Sequence, residues 1–367
     1  MDAKRLCPAS GALMQQVVTL RDVCAAARVS TYTGSRALNG HHGVAEETRR
    51  RVLKVAAELG YVANQHAKNL KNPINKTVAV LTSNMANQYY ATLVSGIETL
   101  LDAEGYNCVT MDSVLNGSYS QAREDRFVSA VMAQRVSAVV ITYILSSSNM
   151  QLLSLWGIPL IFVDSSAPEN FRNFPSVTTD NYRGSWDLGL HLAEHGYSRW
   201  AFVGHTKTWN TREPRQKGFE AVAKASNATV DIVEGANDSV TARDAVCDYL
   251  ARTPHARRAQ AFYASNTVLL HGVLDAMRRM QLAVPQDVAV VAFDDFEWAE
   301  MVDPPITVVD QDVVAIGRVA GSLLLKNLKE PIGARDGGNL VLTPNLRIRK
   351  SCGCGLLERS NGLASSN

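Results

Sequence analysis

The chain is poor in the features that mark specialised classes of protein. Six cysteines in 367 residues, at positions 7, 24, 108, 247, 352 and 354, are too few and too scattered for a disulfide framework, and reduced thiols are expected. Cys352-Gly353-Cys354 has no second cysteine pair at zinc spacing, and His41-His42 lack the helical i,i+4 spacing, so no metal is expected. No apolar run approaches the roughly 18–20 residues that span a bilayer, and MDAKRLCPASGALMQQ at the start lacks the apolar stretch of an export signal. No membrane partner is expected, and the cytoplasm, at the nucleoid, is the expected location. Dinucleotide and P-loop glycine motifs and a nucleophile elbow are all missing, so neither an enzyme nor a cofactor is expected.

What is present is unevenly spread. Net charge is +2 overall, but residues 1–76 hold 12 Lys and Arg against 5 Asp and Glu, leaving 25 against 30 for the remainder. A basic head on a mildly acidic body points to a polyanion partner for the head. The length itself implies two or three domains.

Within the head, Thr19 and Asp22 form a capping-box pattern, followed by Leu20, Val23, Cys24 and Ala27 at helical spacing. This predicts a helix over about 20–27 and a turn at Arg28-Val29. Ser30 then caps a second helix over about 31–38, and a third runs over about 46–59 to Gly60. Three short helices with a tight first turn make a helix-turn-helix, whose second helix reads the major groove. Its outer face offers Thr31, Tyr32, Ser35 and Arg36, and Arg36 has the geometry to donate two bonds to a guanine edge. Arg49, Arg50 and Arg51 are candidates for backbone phosphates.

The runs VTLRDVCAAARVSTYTGSRALNG and TRRRVLKVAAELGYVAN resemble the head of the lactose/galactose repressor family. The resemblance extends over about residues 17–351. It implies an all-α helix-turn-helix head (17–62) behind a disordered leader (1–16; Met14 is a second possible start). A hinge helix and linker (63–76) follow, then an α/β two-lobed effector domain of the type I periplasmic-binding-protein kind (77–351), and a flexible tail (352–367). By the same register Thr19, Ser30, Thr33 and Asn39 join the DNA-binding set. In the hinge Leu70 is the residue that wedges into the minor groove, with Asn64, Ala67 and Lys68 beside it. The implied partners are double-stranded, pseudo-palindromic operator DNA, a small-molecule effector and a second copy of the chain.

Four positions depart from the family pattern: Arg28, Gly34, Ala45 and Ala63 stand for glycine, valine, serine and proline. Gly34 is expected to cost ~1 kcal/mol of helix propensity and to forgo up to ~2 kcal/mol of side-chain burial. Ala45 loses a cap worth ~1 kcal/mol, and Arg28 in left-handed backbone adds ~1 kcal/mol. A loosely folded head that firms up on DNA is the expectation, with Gly34→Val strengthening it.

From Thr77 apolar strands alternate with amphipathic helices, the pattern of parallel sheets covered on both faces. The strands lie at about 77–83, 106–112, 138–144, 158–164, 200–204, 229–235, 259–265 and 287–293. The resemblance implies crossovers near 177, 309 and 339, giving lobe 1 as 77–177 plus 309–338 and lobe 2 as 178–308 plus 339–351. Ligands of such folds bind beyond strand carboxyl ends, where Asn87, Tyr89, Tyr90, Tyr143, Asp164, Arg215, Asn266 and Asp294 gather. Carboxylate, guanidinium, amide and aromatic groups together suit a sugar or sugar derivative.

The reading is a ligand-responsive transcription regulator, most simply a repressor. The alternative is a cytosolic sugar-binding protein with a vestigial head. Two outcomes are expected of DNA binding. Affinity measured by fluorescence anisotropy should fall steeply between low and physiological salt. Leu70→Ala should weaken specific binding while sparing non-specific binding; equal loss of both would remove the wedge.

Overall fold

The computed structural model describes residues 18–38, 42–59, 61, 75–85, 87–115, 118–206, 209–330 and 338–354. They fall into two compact units, divided in the chain between Ile74 and Asn75. The leader, Asn39, the hinge positions Asn64, Ala67, Lys68 and Leu70, and the chain beyond 354 lie outside the described residues.

The first unit has three helices, α1 (Leu20–Ala26), α2 (Thr31–Leu38) and α3 (Glu46–Glu58). Thr19 and Asp22 make the reciprocal capping box at α1. Arg28 forms the turn with φ 53°, while Ala45 precedes α3 without a side-chain cap. Val23, Ala27, Ala37, Val52 and Ala56 are the buried centre.

Gly34 corrects one expectation. A Cβ built on it would lie 2.2 Å from the Cys24 sulfur. No burial is forgone at position 34, because the thiol of α1 already occupies the volume that a branched side chain on α2 would fill.

The second unit holds two sheets of six strands. The first has the order β13-β7-β6-β5-β1-β2 and the second β14-β12-β11-β10-β8-β9. The first comprises β1 (Thr77–Thr82), β2 (Asn107–Asp112), β5 (Ala138–Ile141), β6 (Leu160–Val163), β7 (Ser176–Thr179) and β13 (Asn339–Leu342). The second comprises β8 (Arg199–His205), β9 (Thr229–Gly235), β10 (Ala261–Ala264), β11 (Ala289–Phe293), β12 (Thr307–Asp310) and β14 (Asn345–Arg347). A two-stranded hairpin, β3 (Val114–Leu115) with β4 (Ser118–Tyr119), stands apart. Within the two six-stranded sheets the pairings are parallel except β12 with β14.

The central strands are buried on both faces, as helix-covered parallel sheets require. The helices are α4 (Gln88–Ala103), α5 (Gln121–Gln134), α6 (Ser147–Leu155) and α7 (Asn181–Glu194), then α8 (Arg212–Ala225), α9 (Ser239–Arg252), α10 (Thr267–Arg279) and α11 (Val313–Lys329). Among the described residues no helix is long and apolar enough to cross a membrane.

The chain passes between lobes three times. The first passage follows β7 at Asp180 and the second follows β12 at Gln311-Asp312, after which α11 returns to pack on α4. There Gly317 allows the approach, since a Cβ on it would lie 2.6 Å from the Leu93 carbonyl.

The third passage corrects the expected lobe boundary. Residues 339–342 pair with β7 in the first sheet, Asn339 opposite Ser176 through Leu342 opposite Thr179. The chain therefore changes lobe at Thr343-Pro344, after β13 and not before it. As an edge strand β13 is mostly exposed, so its apolar pattern carries no sign of which sheet it joins.

A second correction concerns the tail, expected to be flexible from residue 352. Cys352 is fully buried in the second lobe's core. Just before it the Ser351 hydroxyl donates to the Val290 carbonyl and accepts from the Thr307 amide at 2.9 Å.

Gly34→Val alone is expected to destabilise the head by about 1–3 kcal/mol through overpacking against Cys24. The pair Gly34→Val with Cys24→Ala should recover most of that loss. Thermal unfolding of the head across this double-mutant cycle checks it; additive effects would contradict the shared volume.

Candidate functional site

Strand carboxyl ends from both sheets converge on one cleft. Ser83 follows β1, Asp164 follows β6, His205 ends β8, Asn237 lies just beyond β9, Asn266 lies beyond β10, Asp294 follows β11 and Gln311 follows β12. Asn87, Tyr89, Tyr90, Trp209, Thr211 and Arg215 complete the lining. The cavity there measures about 30 Å³, enough for two or so waters and far below a usual small-molecule site of roughly 300–1,000 Å³.

Two carboxylates hold equivalent places. Asp164 and Asp294 each stand first after corresponding strands of two sheets with the same order, and each has left-handed backbone, φ 67° and 75°. Such backbone strain persists where the surroundings over-determine it.

Between them lies Arg215, presented by α8 and 3% exposed. It donates through Nε to Asn181 Oδ1 at 2.7 Å and through Nη1 to the Ser265 carbonyl at 2.6 Å. Its guanidinium sits 3.7 Å from the Phe293 ring centroid and 3.9 Å from Asp294 Oδ2. Gln311 donates to Asp294 Oδ1, and the Tyr90 hydroxyl donates to Asp164 Oδ2 at 3.1 Å.

Burial pushes the Asp164 carboxyl up to about 6, against the pull of Arg215 and with the push of Asp294. Asp294 is raised too, by burial outweighing Arg215 and Gln311. His205 is driven down to about 4, chiefly by burial, and is neutral near pH 7. The buried Gln311 Oε1 accepts no hydrogen bond.

The lobes touch directly across the cleft. Thr267 Oγ1 donates to Asn87 Oδ1 at 3.1 Å, and Asn84 Nδ2 donates to the Asn237 carbonyl at 3.4 Å. Asn87 caps α4 and Asn266 caps α10 through their side-chain oxygens, so both residues cap a helix and line the cleft.

Of the sequence-predicted residues, Asn87, Tyr89, Tyr90, Asp164, Arg215, Asn266 and Asp294 line the cleft. Tyr143 does not. Its hydroxyl donates to Glu124 Oε2 at 3.2 Å, and its ring meets Trp209 edge-on at 5.6 Å. Through Trp209 it supports the lining from behind. Ser83 and Asn237 obey the strand-end rule and were open to sequence reasoning. Trp209 and Gln311 were not, since one lies in a loop and the other on an interlobe passage.

In the head, Tyr32 is 69% exposed, and Thr31 is exposed beside it. Arg36 lies over the Tyr32 ring at 5.5 Å and donates to the Tyr32 hydroxyl and the His42 carbonyl. Ser30 caps α2 by accepting from the Thr33 amide at 3.1 Å, its hydroxyl 2.9 Å from that of Thr33. Ser35 is half-buried on the same helix. Thr19 Oγ1 donates to Asp22 Oδ2 at 2.6 Å, so its hydroxyl serves the cap. Arg49 differs from expectation: it is half-buried and donates to the Ala37 carbonyl at 3.1 Å, closing the end of α2. Arg50 and Arg51 remain exposed.

Residues 19–64 match the family described as bacterial regulatory proteins, lacI family, and residues 190–352 match the periplasmic binding protein-like domain. The HTH-type transcriptional regulator RegA of Clostridium saccharobutylicum is 29% identical over 340 residues, covering 91% of this chain and 98% of RegA. The crystal structure of the Lac repressor dimer bound to operator and the anti-inducer ONPF superposes with a TM-score of 0.73 at 24% identity, covering 92% and 99% of the two chains. The transcriptional regulator CelR in complex with cellobiose gives 0.67 at 26% identity, covering 91% and 99%.

The buried carboxyls make a pH signature. A native pKa near 6 for Asp164 against about 3.8 unfolded favours the fold below pH 4, and that contribution is lost as pH rises through 6. His205 works in the opposite sense between about 6.5 and 4, so a variant is needed to isolate the carboxyl. Asp164→Asn should raise the thermal midpoint at pH 7.5, by at most about 3 kcal/mol of stability, and do little at pH 4.5. A pH-independent difference would contradict the assignment.

Proposed function

The chain belongs to the lacI family of bacterial regulatory proteins, a DNA-binding transcriptional repressor and not an enzyme, and from that premise we propose that a neutral, hydroxyl-rich effector controls its grip on DNA. The class is a sugar or sugar derivative, bound between Asp164, Asp294 and Arg215.

One observation carries this reading. Among the described residues lining the cleft, two carboxylates, those of Asp164 and Asp294, and the unpartnered Gln311 Oε1 stand against a single guanidinium, that of Arg215. That surplus of acceptors asks for a ligand that donates hydrogen bonds, as vicinal hydroxyls do. A phosphorylated sugar would bring further negative charge against Asp164 and Asp294 without a matching cation. Trp209, Tyr89 and Tyr90 offer aromatic surface for a sugar's apolar face. CelR, 26% identical, was crystallised with cellobiose, which supports a carbohydrate.

A cavity of about 30 Å³ admits no sugar until the lobes part and the bonds Asn87–Thr267 and Asn84–Asn237 open. The effector thus acts through its different affinity for two lobe arrangements. In a homodimer, a change of lobe angle alters the spacing of the paired hinges that precede β1, and with it the spacing of two heads on a pseudo-palindromic operator. Thr31, Tyr32, Ser35 and Arg36 on α2 would read bases, with Thr19, Ser30, Thr33, Asn39 and the hinge residues Asn64, Ala67, Lys68 and Leu70 in support. The alternative of a sugar-binding protein with a vestigial head is disfavoured by the match of the head to a regulatory family.

A thermal-shift screen of the full chain against matched neutral and phosphorylated sugars and nucleosides tests this. A neutral member should raise the midpoint, with its phosphorylated form at least about tenfold weaker. Asp294→Asn should abolish the shift while leaving operator binding in a gel shift intact. Preference for the phosphorylated form would refute the charge argument.

A further inference from the structure

Far along the chain from the cleft residues of the first lobe, four side chains bring their donor atoms together on the second lobe. His191 and His195 stand one turn apart at the end of α7, with ring Nε2 atoms 3.3 Å apart. Cys352 and Cys354 follow β14, with sulfurs 3.4 Å apart. The Cys354 sulfur lies 3.6 Å from His191 Nε2 and 3.4 Å from His195 Nε2. All four donor atoms lie within 4.8 Å of one another.

Four of the six separations, at 3.3, 3.4, 3.6 and 3.4 Å, lie within about 0.4 Å of the edges of a coordination tetrahedron, and the whole set stays within 4.8 Å. Zinc bonds of about 2.3 Å to sulfur and 2.0–2.1 Å to nitrogen require edges of about 3.8 Å between sulfurs, 3.3 Å between nitrogens and 3.6 Å between the two kinds. Without a cation the arrangement is poorly matched, since two facing imidazole nitrogens share at most one proton.

The local sequence is shaped to this geometry. Gly353 has φ 100°, and a Cβ on it would lie 2.6 Å from the Tyr197 hydroxyl, which donates to the Cys352 carbonyl at 3.0 Å. Only glycine there turns both sulfurs to one side. Thr307 Oγ1 donates to the Cys352 sulfur at 3.2 Å, and Glu194 lies 3.9 Å from His191 Nδ1, the kind of outer partner that orients a ligating imidazole.

We infer that His191, His195, Cys352 and Cys354 bind one zinc ion in a closed, structural site. Binding releases the two thiol protons to solvent, and two thiolates with two neutral imidazoles leave the site uncharged, as its burial demands. Four protein ligands leave no open position for catalysis. The ion ties the segment that follows the third interlobe passage to the helix that follows the first, fixing both in the second lobe. The expectation of no metal rested on the spacing of the cysteines and of His41-His42. The missing pair is histidine, 163 residues before Cys354.

The full chain, purified without a histidine tag under reducing conditions, should carry close to one zinc per chain by elemental analysis. Cobalt(II) in its place should show the intense visible bands of a tetrahedral thiolate site. Removing the metal with a chelator should lower the thermal midpoint of the body by roughly 5 °C or more, restored by zinc alone. Cys354→Ser and His195→Gln, at the half-buried positions, should each lose the cobalt bands. Less than about a tenth of an equivalent of zinc together with a midpoint indifferent to added zinc would overturn the site. So would a Cys352–Cys354 disulfide in the reduced preparation.

Discussion

Two buried carboxylates facing one buried guanidinium are the constraint around which the second unit is organised. Removing three charges from water is costly unless each finds partners, and here the partners come from both lobes and from two of the three interlobe passages. Asn181, just past the first passage, and the carbonyl of Ser265 hold Arg215. Gln311, on the second passage, holds Asp294. Tyr90 from the first lobe holds Asp164. Burial nevertheless outweighs the pull of Arg215, and the Asp164 carboxyl is pushed up to about 6.

The twin order of the two sheets explains why the carboxylates face one another. Each lobe places an aspartate at the same strand end in the same strained backbone, so closing the lobes brings like charges together. The direct bonds Asn87–Thr267 and Asn84–Asn237 oppose that repulsion. Chain passages at Asp180, Gln311 and Thr343-Pro344 join the two lobes, and the cysteine-histidine cluster lies on the second lobe's side of the outermost two.

In the head, the relation between Cys24 and Gly34 shows how a family core is kept while its residues change. Volume given up on α2 is taken by sulfur on α1. The sequence shows the glycine as a defect only because it is read one helix at a time.

Periodicity, the capping box at Thr19 and the basic charge of the first 76 residues determined much by themselves: three helices in the head, the run of parallel strands, Asp164 and Asp294 at strand ends, and Arg215 on the helix beyond one. These are local signals, written within a few residues of where they act. Tertiary structure alone decided that 339–342 joins the first sheet, that Tyr143 stops short of the cleft, that Gln311 enters it, and that Cys352 is core. It alone placed His191 and His195 beside Cys352 and Cys354. Each of these depends on contacts between segments far apart in the chain, and spacing along one strand or helix carries no record of what packs against it.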